Sequence, residues 1–227
     1  TKITAFDGED DDEFGRYSGT LLANNALAIG APYDDDEGED AGAVYIFYNV
    51  DGGEKSSTPS KLYASSPNAQ DRFSWQVVAS ESGILYVGGR GSGDSVVDVF
   101  TPVGENGEYT HTAIIQSDDF VVVVVFGQTM FAFNNLLIVR SSKRDEGRGA
   151  VYIFLTEDSG NSFEQVAMLQ PDDLSEGDEF GEVTITQNYA VVCTAKHNDE
   201  TGACYAYQTL DSGKKWFFAT KFTSRDV

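Results

Sequence analysis

The sequence predicts an all-β fold of repeated four-stranded antiparallel sheets, and three observations predict it. The first is a word that returns. Gly42-Ala43-Val44-Tyr45-Ile46-Phe47 comes back almost unchanged as Gly149-Ala150-Val151-Tyr152-Ile153-Phe154, and in blurred form as Gly202-Ala203-Cys204-Tyr205-Ala206-Tyr207. A degraded copy, Ser95-Val96-Val97-Asp98-Val99-Phe100, stands where the spacing asks for one. The second is another word ahead of each of these: Phe14-Gly15, Phe73-Ser74, Phe126-Gly127 and Phe180-Gly181. Both signals share a period of 53 to 59 residues, which means four repeats. The third is that no helical period lasts beyond two turns, while short apolar runs alternate with polar, Gly-rich loops.

Each element follows from these patterns. In the first unit a brief outer segment, Lys2 to Ala5, precedes the acidic loop Asp7 to Glu13. A strand is expected from Phe14 to Leu22, a turn at Asn24-Asn25, a strand from Ala26 to Ile29, a second acidic loop from Asp34 to Asp40, and a strand from Ala43 to Tyr48. The last of these is apolar on both faces, as a strand sandwiched between neighbouring sheets must be. The second unit places strands at Lys61 to Ala64, Phe73 to Ala79, Ile84 to Val87 and Val96 to Phe100. The third places them at Ala113 to Gln116, Val121 to Phe133, Leu136 to Val139 and Ala150 to Leu155. The fourth runs through Val166 to Leu169, Phe180 to Thr186, Tyr189 to Cys193 and Ala203 to Gln208. A sheet of this kind cannot bury both apolar faces alone, and packing blade on blade around an axis does so. That is a β-propeller, read here as a single domain over 1–227 with repeats near 1–58, 59–110, 111–164 and 165–214 and a partial outer strand at 215–227. In this scheme the leading Phe fills the wedge between blades, and the Gly after it permits close backbone approach.

Composition bounds the partners. The 227 residues carry 15 Lys plus Arg against 37 Asp plus Glu, a formal charge of −22. Such a surface repels nucleic-acid phosphates and anionic lipid and favours cations or basic partners, so nucleic acid is not an expected partner. With 15 Phe and 11 Tyr, the chain is too rich in aromatic residues for a disordered acidic segment. Its longest apolar run, Phe120 to Phe126, is too short to cross a bilayer. The chain begins at Thr1 rather than Met, which reads as a processed or excised segment.

Phe14-Gly15, then Ile29-Gly30-Ala31-Pro32, then Gly42-Ala43-Val44-Tyr45 resembles the FG-GAP repeat family, which includes the propeller headpiece of integrin α subunits and many extracellular repeat proteins. Only the first unit carries all three words; Gly88-Gly89-Arg90, Arg140-Ser141-Ser142 and Cys193-Thr194-Ala195 stand in place of the second word elsewhere. The resemblance implies an extracellular or cell-surface protein working by adhesion or recognition. Integrin propellers usually have seven blades, so four repeats imply either a small ring or a segment of a larger propeller. The family's calcium motif lies between the first two strands of a blade, where this chain has only Asn24-Asn25, and it is not carried over.

Several residues are candidates for chemistry. The loop Asp34-Asp35-Asp36-Glu37-Gly38-Glu39-Asp40 offers oxygen ligands at alternate positions with a glycine turn, so Asp34, Asp36 and Asp40 are candidate calcium ligands. Solvated acid is the bland reading of the same loop. Asp12, Asp71 and Asp178 each stand two residues before a leading Phe, a recurrence that suits accepting backbone N–H groups in a turn. Phe120, Val122 and Val124, in an unbroken β-branched run, belong either to an inner strand or to a subunit contact. Cys193 and Cys204 flank an expected hairpin, either as a cross-strand disulfide or as two buried thiols. His111 and His197 sit in unrelated loops with no matching nucleophile, and no required cofactor is read from the chain.

The termini hold a surplus. Lys215 to Phe222 resembles the outer segments that open each unit, as does Thr1 to Ala5, and one ring needs only one of them. Lys2, Ile3, Thr4, Phe217, Phe218 and Phe222 are therefore candidates for a strand that pairs across molecules. The expected function is a non-enzymatic extracellular structural or adhesion protein that self-assembles. The alternative is an integrin-like module recognising a protein or glycan through loops, with calcium in support; a carbohydrate-active enzyme stands a distant third.

Overall fold

The computed structural model describes residues 2–22, 25–48, 59–91, 96–103, 108–118, 126–186 and 188–224. Among them sixteen strands form four antiparallel sheets, each a simple meander. The first sheet is β1 (Gly19–Leu21), β2 (Leu27–Ala31), β3 (Ala43–Phe47) and β4 (Ser60–Leu62). The second is β5 (Gln76–Ala79), β6 (Leu85–Gly88), β7 (Val97–Val103) and β8 (Glu108–Ile115). The third is β9 (Thr129–Phe133), β10 (Leu136–Ser141), β11 (Ala150–Leu155) and β12 (Glu164–Leu169). The fourth is β13 (Glu182–Ile185), β14 (Tyr189–Thr194), β15 (Ala203–Gln208) and β16 (Phe217–Thr223). At 144–147 and 197–200 the loops make tight turns in which Asp145, Glu146, Asn198 and Asp199 take left-handed backbone (φ 53° to 58°), so they are not helices in any packing sense.

The third strands carry the recurring word because they are the most buried. Every residue of β11 is buried, and Ala43 to Ile46 of β3 are fully enclosed. A meander buries one of its faces against each neighbour, and three apolar clusters do this in succession. Ala28, Val44 and Ile46 meet Phe73, Leu85 and Val87 between the first and second sheets. Tyr86, Val97 and Val99 meet Phe126, Leu137 and Val139 between the second and third. Ile138, Val151 and Ile153 meet Phe180, Val192 and Tyr205 between the third and fourth. Phe73, Phe126 and Phe180 therefore each fill the wedge between their own blade and the one before, and Phe14, Phe126 and Phe180 pack edge-on against their own third-strand Tyr at 5.3 Å, 5.6 Å and 5.5 Å. Among the described residues no such cluster joins the fourth sheet to the first, so the blades follow one another with two uncovered ends.

Three expectations change. Phe14-Gly15 and Phe73-Ser74 are turns, not strand residues, and the first strands begin later, at Gly19 and Gln76. The segment opening each sequence unit closes the sheet before it: Ser60–Leu62 pairs with β3, and Phe217–Thr223 pairs with β15. The C-terminal strand is thus the fourth strand of its own blade, whereas residues 2–5 form no strand. His111 lies on β8 rather than in a loop. Phe120, Val122 and Val124 fall outside the described residues.

The close approach assigned to the Gly after Phe belongs to the other word. A Cβ on Gly42 would lie 2.2 Å from the Phe73 carbonyl oxygen, and one on Gly149 would lie 2.4 Å from that of Phe180. The two recurring words touch each other across the blade joint, which is why both persist together.

Candidate functional site

The acidic loops and third-strand tyrosines form a charged layer at one end of the sheets. Register places Lys61 beside Tyr45, and Lys221 beside Tyr205. The Lys61 ammonium lies 2.7 Å from Asp34 Oδ2, 2.6 Å from Asp36 Oδ2 and 3.1 Å from Asp7 Oδ2. The Tyr45 hydroxyl lies 2.7 Å from Asp7 Oδ1 and 2.9 Å from Asp34 Oδ2, its one proton shared between them, and Tyr63 donates to Asp36 at 2.8 Å. Burial opposes the charge on Lys61, but its hydrogen bonds with Asp34, Asp36, Tyr45 and Asp7 outweigh that and hold its pKa above the usual lysine value. The Lys61 and Tyr63 hydrogen bonds hold the Asp36 carboxyl below its usual range. Burial, with the bond to Asp36, pushes Tyr63 up to about 12.

The fourth blade repeats this arrangement with one exchange. Lys221 Nζ is 2.6 Å from Asp173 Oδ2, and Tyr205 donates to Asp173 at 2.8 Å. His197 takes the place of Asp34, with Nε2 3.0 Å from Lys221 Nζ and Nδ1 2.7 Å from Asp178 Oδ2. A lysine ammonium has only donors, so Nε2 accepts and the ring proton sits on Nδ1, where it is donated to Asp178. In the third blade Arg144 holds the same loop position and lies over the Tyr152 ring at 5.8 Å. The second has Asp98 in the tyrosine's place, bonded to His111 Nε2 at 2.8 Å and to the Ser65 N–H. Both histidines thus serve the structural charge layer. The recurring aspartates also have a common job: Asp12, Asp71 and Asp178 each accept the N–H of the residue three before, from Glu9, Asn68 and Ser175.

A calcium ion does not fit the three carboxylates expected to bind one. Asp34 and Asp36 do converge, but onto the Lys61 ammonium, while Asp40 points away to Arg72 at 3.6 Å. Among the described residues no cluster of His, Cys, Asp and Glu is arranged to hold a metal. The melting temperature is therefore expected to be the same in calcium and in chelator, since a ligand bound only by the folded form would raise it.

The two uncovered blade ends are the candidate site. On the first blade, Phe14, Tyr45 and Phe47 face away from the second sheet, covered by Ala5 and Tyr63 from the chain itself, with Phe6 edge-on to Tyr45 and more than half exposed. Phe14 is only partly buried, whereas Phe73, Phe126 and Phe180 are enclosed. On the fourth blade, alternation puts Tyr189, Val191, Cys193, Cys204 and Ala206 on the face opposite the third sheet. Cys193 and Cys204, directly paired in register, are joined by a disulfide there. Phe222 sits opposite Cys204, as Leu62, Ile115 and Leu169 sit opposite Val44, Val97 and Val151. Ile115 and Leu169 are 2% and 5% exposed under the next blade; Phe222 is 52% exposed. Phe217 and Phe218 share its strand and are also exposed, Phe218 lying against Tyr207 on the other face. Lys2 and Thr4 are exposed beside Ile3 on the segment without a strand.

Blades of this kind, meandering sheets joined face to face by a Phe-Gly word and a Gly-Ala word, define a propeller-repeat protein. Residues 1–47, the first blade through its third strand, match the family model of the FG-GAP repeat. Such repeats are typical of extracellular and surface proteins. No curated protein matches the chain. No helix among the described residues is long and apolar enough to cross a membrane.

Proposed function

We propose that this chain is a non-enzymatic structural and adhesion protein of the cell exterior that assembles through its uncovered blade faces. The observation that carries the reading is Phe222, a large apolar side chain standing open where the second and third blades bury theirs and the first half-buries Leu62. Tyr189 on the same face is 48% exposed, and the opposite end offers Phe14 and Phe47. Large apolar side chains left exposed on one face suit protein contact. The disulfide stiffens that face and suits an oxidising exterior. Light scattering and electron microscopy of the purified chain test the reading: oligomers or filaments are expected, and a chain that stays monomeric at every concentration overturns it.

A second reading draws on the FG-GAP match at residues 1–47, whose family includes recognition repeats. In it the acidic loops of the charged layer hold a basic protein segment or a glycan. Loop substitutions at Asp10 and Asp11, both exposed, would then abolish ligand capture without touching assembly.

A further inference from the structure

We infer that a cleft between the first and second blades binds a lysine side chain of a partner protein, at the place where the first and fourth blades hold a lysine of their own. The inference rests on the recognition reading and names the group that is recognised.

The repeats supply the template. In the first blade Lys61 stands opposite Tyr45 in the sheet, the Phe14 ring lies edge-on to Tyr45, and Asp7 contacts both Tyr45 and Lys61. In the fourth, Lys221, Tyr205, Phe180 and Asp173 repeat each of these contacts. The same positions in the second blade are Ile114, Asp98, Phe73 and Ser66. Ile114 is opposite Asp98 in register. Ser66 stands five residues before Asp71, as Asp7 and Asp173 stand before Asp12 and Asp178. Lysine, tyrosine and the outer aspartate are thus all replaced by smaller side chains.

A cleft of about 520 Å³ opens there, lined by Ser66, Asp71, Phe73, Asp98, Ile114 and Gln116. Phe73 has no tyrosine of its own blade to pack on and lies against Phe100 instead, at 6.2 Å. Ile114, where two other blades keep a lysine, is 49% exposed.

What the exchange leaves is a buried carboxylate without its ammonium. Asp98 is 2% exposed. Its Oδ1 accepts the Ser65 N–H at 3.2 Å and lies 2.8 Å from His111 Nε2. Oδ2 has no hydrogen-bond partner among the described residues. A buried carboxylate with an unused oxygen costs stability until a cation reaches it. Among the described residues no acidic cluster is arranged to hold a metal, so a single ammonium suits the site better. A guanidinium pairs best with both carboxylate oxygens at once, and Oδ1 is already taken twice, which favours lysine over arginine. Phe73 and Ile114 offer apolar walls to the alkyl stem. The net charge of −22 draws basic partners toward the cleft.

An NMR titration of the isotope-labelled chain with the blocked peptide acetyl-Gly-Lys-Gly-amide tests this. It is read at the Ser65 amide, which is bonded to Asp98. Saturable movement of that signal is expected. The same peptide with norleucine, which keeps the stem and lacks the charge, should bind at least about tenfold more weakly. Ile114→Lys is the decisive variant. It returns an ammonium to the position opposite Asp98, at a half-exposed site, and should weaken peptide binding at least about tenfold because like charges then compete for one carboxylate. Ile114→Met, which adds no charge, should bind as the unaltered chain does, and Asp98→Asn should lose binding. Circular dichroism and melting confirm that the variants fold. Equal binding of the lysine and norleucine peptides, or binding that survives Ile114→Lys, would overturn this site. If the surviving binding is lost on substituting Asp10 and Asp11, the recognition reading stands without it. A lysine peptide that moves no signal would overturn both this site and the basic-segment form of that reading.

Discussion

Replacing Lys61 with methionine is expected to destabilise the fold by about 3 kcal/mol, read as a fall in Tm of roughly 6–12 °C. Removing one partner of a buried ion pair leaves the other charge buried without compensation, at a cost of about 3–5 kcal/mol. Lys61 and Asp34 are 7% and 3% exposed, so they belong to that class. Asp7 and Asp36, at 36% and 51%, are screened by water and add little, which sets the expectation at the low end. The effect has a pH signature. Lys61 has its pKa raised, so its contribution is complete below the usual lysine value of 10.5 and fades as pH rises through the folded value. Asp36 has its pKa lowered, so its contribution is present above the usual 3.8 and fades as pH falls through the folded value. The gap between the unaltered and Lys61→Met chains should therefore be flat across neutral pH and shrink in acid. A constant gap down to strong acid would show that Lys61 acts by packing rather than by charge.

Gly149→Ala is expected to cost about as much for a different reason. Gly149 has φ 84°, which costs an alanine about 1–2 kcal/mol. Its new methyl would also lie 2.4 Å and 2.5 Å from the Phe180 carbonyl oxygen and amide nitrogen, backbone atoms that no rotamer change can move. Overpacking of this kind adds about 1–3 kcal/mol, for a total near 3 kcal/mol. Gly202→Ala is the matched control. That residue holds the same place in the fourth blade with φ 75°, but a Cβ there meets nothing closer than 3.3 Å. Denaturant unfolding of the two variants under monomeric conditions should differ by the overpacking alone. Equal losses would mean that the blade joint is softer than its contacts imply.

The architecture was legible because the recurring words are themselves the joint. Gly42 against Phe73, and Gly149 against Phe180, are contacts that any workable blade must repeat, so they survive while the surrounding residues drift. Less legible was which glycine served which neighbour, since that contact runs between units and not within one. What Asp34 and Asp36 face was hidden on similar grounds. Their counter-ion is a lysine from the following strand, brought in by sheet register rather than by local spacing. A signal was available: Lys61 and Lys221 follow Tyr45 and Tyr205 at the same offset. The exposed faces could not be read from the chain alone, because Phe222 looks like any other apolar strand residue until it is seen 52% exposed.

The offset between sequence unit and sheet governs where this chain can be cut. Severing it at the border near 58/59 would strip Ser60–Leu62 from the first sheet and leave β3 as a raw edge. A piece trimmed instead between Leu62 and Phe73 keeps every sheet whole on both sides. Any truncation, graft or permutation that respects the visible repeat would thus cripple the blade it meant to spare.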